Sequence, residues 1–314
     1  MPIKSRIQPN PLLLVLAILL GLSGCASPIV KGPDFSYYLE DPSPYRLVEV
    51  MSGKNNEERL HILTKALSAS EIPYELDPFT VDGKNGTNVY ADLGATEAPT
   101  LIIVAHYDRV MGSAGANDNA SCVAAAISAY ERLRASYPLK NINVRFLFPD
   151  KEEVGLVGAQ GYIKNHGVKN IVGVASFEMC GIGDAFGIWD IRGNLKSSNI
   201  VMALQQAGKD LGVHNETHGP VPRYSSDHHR FFLKGVPAVG VTVLPKTDGQ
   251  TLRDYIANPN AFRWIRTANR PIIFQTYHSP EDLPSTISPK ALNMTAGIIV
   301  ETVKAFDARL LPGT

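Results

Sequence analysis

Residues that could bind a metal ion follow a short apolar run in the first half of the sequence. Residues 101–104 are all apolar, as expected of a strand buried on both faces. His106 and Asp108 come directly after this run, and Asp118 follows a glycine-containing loop. Neutral histidine nitrogen and carboxylate oxygen are ordinary ligands of a divalent ion such as zinc. The alternative is that His106 ends a strand and Asp118 caps the next helix, and this stretch alone favours neither.

The same arrangement follows two further apolar runs. Residues 143–148 precede Glu152 and Glu153, and residues 171–177 precede Glu178. Adjacent glutamates repel each other in water, and a bound cation is the simplest reason for placing them together. A solvated acidic turn is the alternative for this pair by itself. Because three strand-like runs end in such side chains, we interpret them together as one metal-binding constellation.

The elements that must position these side chains follow from the sequence pattern. Strand-like runs alternate with segments of helical periodicity, such as residues 120–135 and 289–310. This alternation is typical of an α/β fold, here a mixed, mostly parallel central sheet with helices on both faces. Ligands of such folds bind at the edge where the parallel strands end. The sequence therefore predicts that His106, Glu153 and Glu178 belong to a site at that edge.

Composition excludes several classes of protein. The 314 residues include 30 basic and 30 acidic residues, so no overall charge favours binding to nucleic acid. The apolar content is that of a globular protein with a full core. No G-x-S-x-G sequence occurs, and neither Cys122 nor Cys180 has the partner pattern of a catalytic cysteine. A serine or cysteine hydrolase is therefore disfavoured.

The N-terminus has the pattern of a targeting segment. Lys4 and Arg6 precede an apolar run at residues 12–20. This run is about half of the ~20 residues that a helix needs to span a bilayer. Residues 22–25, Leu-Ser-Gly-Cys, resemble a bacterial lipobox, in which cleavage leaves a cysteine that carries lipid. We expect a lipoprotein signal peptide at residues 1–24, with an ordinary secretory signal as the alternative.

This interpretation places the mature chain outside the cytoplasm, attached to the cell envelope by a lipid on Cys25. Residues 25–45 are rich in Pro, Ser and Gly and are predicted to be a tether, followed by one domain at residues 46–314. Alanine follows the cysteine, which in a Gram-negative host would direct the protein to the outer membrane. In an oxidising compartment Cys122 and Cys180 could form a disulfide, and two buried free thiols are the alternative.

Five motifs follow one another along the chain: A-H-Y-D at residues 105–108, G-A-N-D-N-A-S at 115–121, E-E-x-G-L-x-G at 152–158, S-D-H at 226–228 and Y-H-S-P-E-D at 277–282. In their order they resemble the di-zinc exopeptidases, the family of secreted bacterial zinc aminopeptidases and glutamate carboxypeptidase II. The resemblance extends over roughly residues 85–310. It implies a zinc-exopeptidase-like sandwich fold and a metal-dependent peptidase activity.

The resemblance also implies a ligand set for two zinc ions per chain. His106 and Glu178 would bind the first ion, Glu153 and His278 would bind the second, and Asp118 would bridge both. Cys122 stands where the family usually has glycine.

Further roles follow from the same resemblance. Asp108 would orient His106, a contact that metal-bound histidines generally need, and Glu152 would be the general base. Asp227, His228 and Tyr277 are predicted to contact the substrate or to support the ligands.

Glu178 bears most directly on the reaction, because the family usually has aspartate at this position. The extra methylene group changes how the carboxylate can bind and shifts the surface that would receive a free amine of the substrate. We expect peptide substrates and favour an aminopeptidase, with a carboxypeptidase or deacylase on the same scaffold as an alternative. An inactive envelope lipoprotein that binds peptides is an alternative of another class. Residues 246–270 are predicted to be an irregular polar insertion.

Overall fold

The strands of the protein form one mixed sheet in the computed structural model, which describes residues 29–221, 224–257 and 270–310. They are β1 (Glu75–Val81), β2 (Lys84–Gly94), β3 (Thr100–Val104), β4 (Asn143–Phe148), β5 (Ile171–Glu178), β6 (Ala185–Trp189), β7 (His214–Thr217) and β8 (Ala238–Leu244). Their order across the sheet is β1-β2-β4-β3-β5-β8-β6-β7. Strand β4 pairs in parallel with β3, β3 with β5, β5 with β8, and β6 with β7. The other three pairings are antiparallel, so the mixed, mostly parallel sheet predicted from the sequence is confirmed.

Helices cover both faces of this sheet. They are α1 (Ser36–Glu40), α2 (Pro44–Met51), α3 (Asn56–Ala69), α4 (Ser121–Ser136), α5 (Val157–His166), α6 (Asn199–Leu211), α7 (His228–Phe232), α8 (Gly249–Ala257), α9 (Ile272–Gln275) and α10 (Pro289–Arg309). Because side chains alternate along a strand, Leu101 and Ile103 pack in the core that includes α4 and α10. Ile102 and Val104 pack on the opposite face, in the core that includes α5 and α7. Each such buried side chain contributes roughly 1.5–3 kcal/mol of transfer free energy.

Strands β3, β4 and β5 end side by side. Val104 near the end of β3 pairs with Leu147 of β4 on one side and with Ser176 of β5 on the other. All three strands run in the same direction, so the loops after them leave from one edge of the sheet. The candidate ligands predicted at three separate places in the sequence are thereby brought to one edge.

The N-terminal boundary of the packed domain differs from the predicted tether, which extends to residue 45. Helices α1 and α2 lie within or across that range, and Tyr38 is buried in the core. Ser43 caps α2, because its hydroxyl accepts a hydrogen bond from the N–H of Arg46. Some of the Pro and Ser residues that suggested a tether therefore belong to the start of a helix. A tether can extend only over residues that precede Ser36, where α1 begins.

Residues near α2 and α3 hold the loop that leads to Asp118. The N–H of Gly53 donates to the carbonyl of Ala114 at 2.8 Å, and the fully buried guanidinium of Arg59 donates to the carbonyl of Gly115 at 3.1 Å. Gly115 has φ +69°, and a Cβ there would lie 2.4 Å from the Arg59 guanidinium. Glycine is therefore required at this close approach.

The predicted insertion at residues 246–270 is partly regular. It begins with a short 3₁₀ turn (Lys246–Asp248) and continues as α8, in which Leu252 is buried. Residues 258–269 lie outside the described residues, as do residues 1–28 with the predicted signal peptide and Cys25. In the part of the chain that the structure describes, no helix has both the length and the apolar character needed to cross a membrane.

Candidate metal centre

Asp108 joins the loops that follow β3 and β4. Its Oδ1 lies 3.2 Å from Nδ1 of His106 and accepts a hydrogen bond from the N–H of Glu152 at 3.1 Å. Its Oδ2 accepts the N–H of Glu153 at 3.2 Å. One buried carboxylate thus fixes the His106 ring and the backbone of both adjacent glutamates. The contact between Asp108 and His106 is predicted from the sequence. Nothing in the sequence predicts the contacts with the backbone N–H groups of Glu152 and Glu153.

Asp282 anchors the backbone from which Asp118 projects. Asp118 lies in the turn Ala116–Ala120, directly before α4. The buried carboxylate of Asp282 accepts hydrogen bonds from the N–H groups of Asn117 at 2.7 Å and of Asp118 at 3.0 Å. Asp282 belongs to one of the five motifs, but the sequence predicts no role for it, because its partners lie more than 160 residues earlier in the chain.

His106, Glu178 and Asp118 form what we call the deep half of the centre. The Nε2 atom of His106 lies 3.2 Å from Oε2 of Glu178 and 3.3 Å from Oδ1 of Asp118. The side chain of His106 is only 1 % exposed. One imidazole nitrogen and two carboxylate oxygens therefore converge in a place that solvent barely reaches.

His278, Glu153 and Asp118 form the shallow half. The Nε2 atom of His278 lies 2.9 Å from Oε2 of Glu153 and 3.3 Å from Oδ2 of Asp118. The His278 side chain is 34 % exposed and stacks on the ring of Tyr277. Asp118 therefore presents a different oxygen to each half, which is the geometry that a bridging carboxylate needs.

Glu152 lies beside the deep half. One of its carboxylate oxygens is within 4.8 Å of donor atoms of His106 and Glu178. Burial raises the pKa of Glu152 well above its ordinary value; the charge of His106 opposes this shift, and that of Glu178 adds to it. A carboxylate with a raised pKa accepts a proton more readily than an ordinary one, as a general base must.

The charges of the centre fit divalent cations. Two imidazoles stand among four carboxylates, namely Asp118, Glu152, Glu153 and Glu178. Oε1 of Glu153 is buried and has no hydrogen-bond partner among the described residues. Burial alone would lower the pKa of His278, but Asp118 and Glu153 raise it to about 9. Protons on such imidazoles balance the carboxylates, and an ion bound by nitrogen and oxygen would replace them.

A pocket of about 620 Å³, counting its open mouth, lies beside these donors. His106 and the four carboxylates belong to its lining, together with apolar or aromatic side chains such as Leu252, Ile273, Phe274 and Tyr277, which pack against one another. None of the described residues that line the pocket is lysine or arginine. The pocket can therefore receive an apolar side chain next to a negatively charged surface.

The three residues predicted to contact the substrate or to support the ligands have different surroundings. Tyr277 lines the pocket. Asp227 is fully buried, and neither of its carboxylate oxygens has a hydrogen-bond partner within the described ranges. His228 is also buried; its Nε2 lies 3.0 Å from Asp190 and its ring packs edge-on against Trp189. The structure brings Tyr277 to the pocket surface but not Asp227 or His228.

Cys122 and Cys180 are both buried free thiols. Burial raises the pKa of Cys122 well above its ordinary value, and contact with the Cys180 thiol raises it further. Of the two alternatives left open by the sequence, the structure has the free thiols. The backbone N–H of Cys180 also donates to the hydroxyl of Ser121, which ties the end of β5 to α4.

The fold and the two converging donor groups define an α/β protein with a candidate two-metal centre where parallel strands end. The model of peptidase family M28 matches residues 88–303, and the chain belongs to that family. All five candidate ligands and Glu152 lie within the matched residues, whereas helices α1 to α3 precede them.

Similar proteins include a leupeptin-inactivating enzyme, an aminopeptidase and a glutaminyl cyclase. Leupeptin-inactivating enzyme 1 of Streptomyces exfoliatus is 26 % identical over 250 residues, which cover 77 % of this chain and 53 % of that protein. The zinc aminopeptidase BSAP of Bacillus subtilis has a TM-score of 0.54 at 20 % identity, covering 71 % of this chain and 50 % of that one. The glutaminyl cyclase of Porphyromonas gingivalis has a TM-score of 0.62 at 16 % identity, covering 83 % and 96 %. The chain thus spans about half the length of the first two, and the structural likenesses show the fold alone.

Proposed function

We propose that the protein is a zinc-dependent aminopeptidase that hydrolyses the first peptide bond of peptides with a free N-terminus. The observation that carries the proposal is the convergence of two donor groups on opposite oxygens of Asp118, beside an apolar pocket. Membership of a peptidase family supports the reaction class. The fold alone does not determine the reaction, since both an aminopeptidase and a cyclase share it.

In this proposal the deep and shallow halves each hold one zinc ion. His106 and Glu178 would bind the first, His278 and Glu153 the second, and Asp118 both. Ions held there would supply Lewis acidity to the scissile carbonyl and to water. Asp108 would keep the His106 ring in its binding orientation. By accepting the backbone N–H groups of Glu152 and Glu153, it would also fix the backbone from which these two side chains project.

Glu152 would carry the proton in the reaction. Its carboxylate lies beside the deep half, where it can take a proton from the attacking water and pass it to the leaving amine nitrogen. Successive side chains leave the backbone in different directions, so Glu153 can face His278 while Glu152 faces His106 and Glu178. The raised pKa of Glu152 suits both proton transfers.

The charge of the pocket favours a free amine over a free carboxylate. A carboxypeptidase must bind the negative C-terminus of its substrate, ordinarily with a cationic side chain. The described pocket lining offers no lysine or arginine, and it includes the carboxylates of Glu152, Glu153 and Glu178. With Glu153 and Glu178 bound to the proposed ions, the described lining still has no cationic side chain for a C-terminal carboxylate, whereas an N-terminal ammonium group needs none. The apolar residues of the lining are complementary to an apolar first side chain.

We also propose that the chain is exported and attached to the bacterial envelope by a lipid on Cys25. The basic start, the apolar run and the lipobox-like residues 22–25 support this location. The chain expressed in a lipoprotein-processing host should incorporate labelled fatty acid and fractionate with membranes, and the C25S variant should do neither. Release of the unlabelled wild-type chain into the soluble fraction would instead support the secretory alternative.

One paired experiment tests the enzymatic proposal. The zinc content of the purified chain is measured, and one peptide panel is assayed with its N-terminus free or acetylated and with its C-terminus free or amidated. About two zinc ions per chain, cleavage only of free-amine peptides and loss of cleavage on chelation are expected. Cleavage that requires a free C-terminus or an acylated N-terminus would replace the proposal with a carboxypeptidase or deacylase.

Two further outcomes separate the other classes. An N-terminal glutamine peptide that loses ammonia without losing a residue would identify a cyclase. Peptide binding without turnover, in a chain that holds no zinc, would support the inactive envelope lipoprotein.

A further inference from the structure

The carboxylate of Glu178 has one oxygen in the deep half and one on two serine hydroxyl groups. Its Oε2 lies 3.2 Å from Nε2 of His106. Its Oε1 accepts a hydrogen bond from Oγ of Ser176 at 3.0 Å and another from Oγ of Ser226. The two hydroxyl oxygens lie 3.0 Å apart, and all of these side chains are buried. Glu178 is therefore held from the side opposite to the candidate ion.

The two serines come from different parts of the fold. Ser176 lies two residues before Glu178 on β5, so both side chains are on the same face of the sheet. Ser226 lies in the loop before α7, and its Oγ also accepts the N–H of Asp227 at 2.6 Å. Because the Ser226 oxygen accepts this N–H, its own hydroxyl hydrogen points away from the backbone. The hydroxyl donates that hydrogen bond to the carboxylate of Glu178.

We infer that Ser176 and Ser226, which we call the serine clamp, are positioning residues that fix Glu178 as a ligand through Oε2 alone. The inference rests on the proposed function, because that proposal assigns Glu178 to a metal ion. A glutamate side chain has one more rotatable bond than aspartate, so more conformational freedom is lost when its carboxylate is fixed. Two donors on one oxygen would remove that freedom before the ion binds.

Neutral donors suit this task better than a cation would. A lysine or arginine beside Glu178 would neutralise its carboxylate and compete with the metal ion for it. Hydroxyl groups orient the carboxylate and leave its full charge for the ion. The glutamate of the shallow half shows the contrast, because Oε1 of Glu153 has no hydrogen-bond partner among the described residues.

The test is a zinc titration of the metal-free full-length protein against a chromogenic chelator, which resolves two binding events without using activity. In the S176A/S226A variant we expect one event to weaken by ~10- to 100-fold, the range for removing contacts that orient metal ligands, and the other to remain unchanged. Ser52→Ala is the matched control, since this serine is equally buried and its hydroxyl makes no hydrogen bond to the described residues. Unchanged zinc affinities in S176A/S226A would overturn the inference.

A second comparison separates positioning from a general loss of structure. In an E178D background the shorter side chain cannot reach both the clamp and the ion, so truncating the serines should cost little zinc affinity. An equal loss in the wild-type and E178D backgrounds would show that the serines do not act through this carboxylate. If the double variant does not fold, S226T and S226A replace it: S226T keeps the hydroxyl and should keep the affinity that S226A loses, and equal losses would overturn the inference.

The titration distinguishes failure of this inference from failure of the proposed function. A wild-type chain that binds no zinc would contradict both. If the wild-type chain binds two zinc ions and the serine variants bind them as tightly as the wild type does, only the role of the serine clamp is contradicted.

Discussion

The two halves of the candidate centre contain the same donors but are supported differently. Each has one histidine and one glutamate, and they share Asp118. In the deep half, His106 is held by Asp108, and the second oxygen of Glu178 is held by Ser176 and Ser226. In the shallow half, His278 is 34 % exposed and Oε1 of Glu153 has no hydrogen-bond partner in the described part of the chain.

This difference shows that a donor set by itself does not determine how firmly an ion is held. Ligands whose remaining polar atoms are already hydrogen-bonded lose little freedom when an ion binds, whereas loosely held ligands must be ordered at that moment. We therefore expect unequal affinities in the two halves, with the deep half binding more tightly.

The largest expected effect is that of Glu152→Gln. Glutamine cannot accept the proton of the attacking water, so turnover of a free-amine peptide should fall by ~10²- to 10⁴-fold, the usual contribution of a general base. The zinc content should stay at the wild-type value. Glu152 lies near His106 and Glu178, however, so loss of one zinc ion would make it a ligand of the deep half.

Asp282→Asn should weaken both halves together. Asp282 accepts two backbone N–H groups beside the shared ligand Asp118, and the amide of asparagine would present a donor to one of them. We expect both zinc-binding events to weaken by ~10- to 100-fold, in contrast to the serine clamp, whose loss should affect one event. A zinc titration checks this, with the thermal midpoint of the metal-free variant as the control for folding. Weakening of only one event would contradict the anchoring role.

Chelation should remove the two ions in sequence. The shallow half is more exposed and less supported, so its ion should leave first, and the ion of the deep half should leave in a slower second phase. Release can be followed with a zinc-sensitive dye during dilution into chelator. A matched pair of variants, H278A and H106A, should abolish the fast and the slow phase, respectively. If H278A lost the slow phase instead, the shallow half would be the one that holds its ion more tightly, contrary to the expectation.

The smallest effect is the release of protons on zinc uptake. Burial lowers the pKa of His278, but Asp118 and Glu153 raise it to about 9, so the metal-free chain carries a proton on His278 at neutral pH. Zinc binds the neutral imidazole, and uptake must therefore displace this proton. The binding enthalpy at neutral pH should depend on the ionisation enthalpy of the buffer, and the part of this dependence that comes from His278 should diminish above about pH 9. A binding enthalpy independent of the buffer would contradict the assigned protonation.

The sequence predicts the parts of this molecule that repeat a local pattern. Apolar runs ending in His106, Glu153 and Glu178 predict both the parallel strands and the edge at which they meet, because each run and its polar end are adjacent in the chain. The predicted tether is wrong after residue 35, since composition does not reveal that α1 and α2 pack on the core.

The supporting contacts could not be predicted in the same way, because they join distant segments. Ser226 meets Glu178 across 48 residues, and Asp282 meets Asn117 across 165. Ser226 is the first residue of the S-D-H motif, but a serine there has many ordinary uses, and only the fold shows which carboxylate its hydroxyl contacts. The contact between Ser176 and Glu178 could have been predicted, because the two residues lie two apart on a predicted strand and so share one face of the sheet.

Diffraction at the zinc absorption edge from crystals of the zinc-loaded chain tests the central claim most directly. We expect two anomalous peaks on either side of Asp118, one bounded by His106 and Glu178 and the other by Glu153 and His278. A single peak, or two peaks that do not share Asp118, would contradict it.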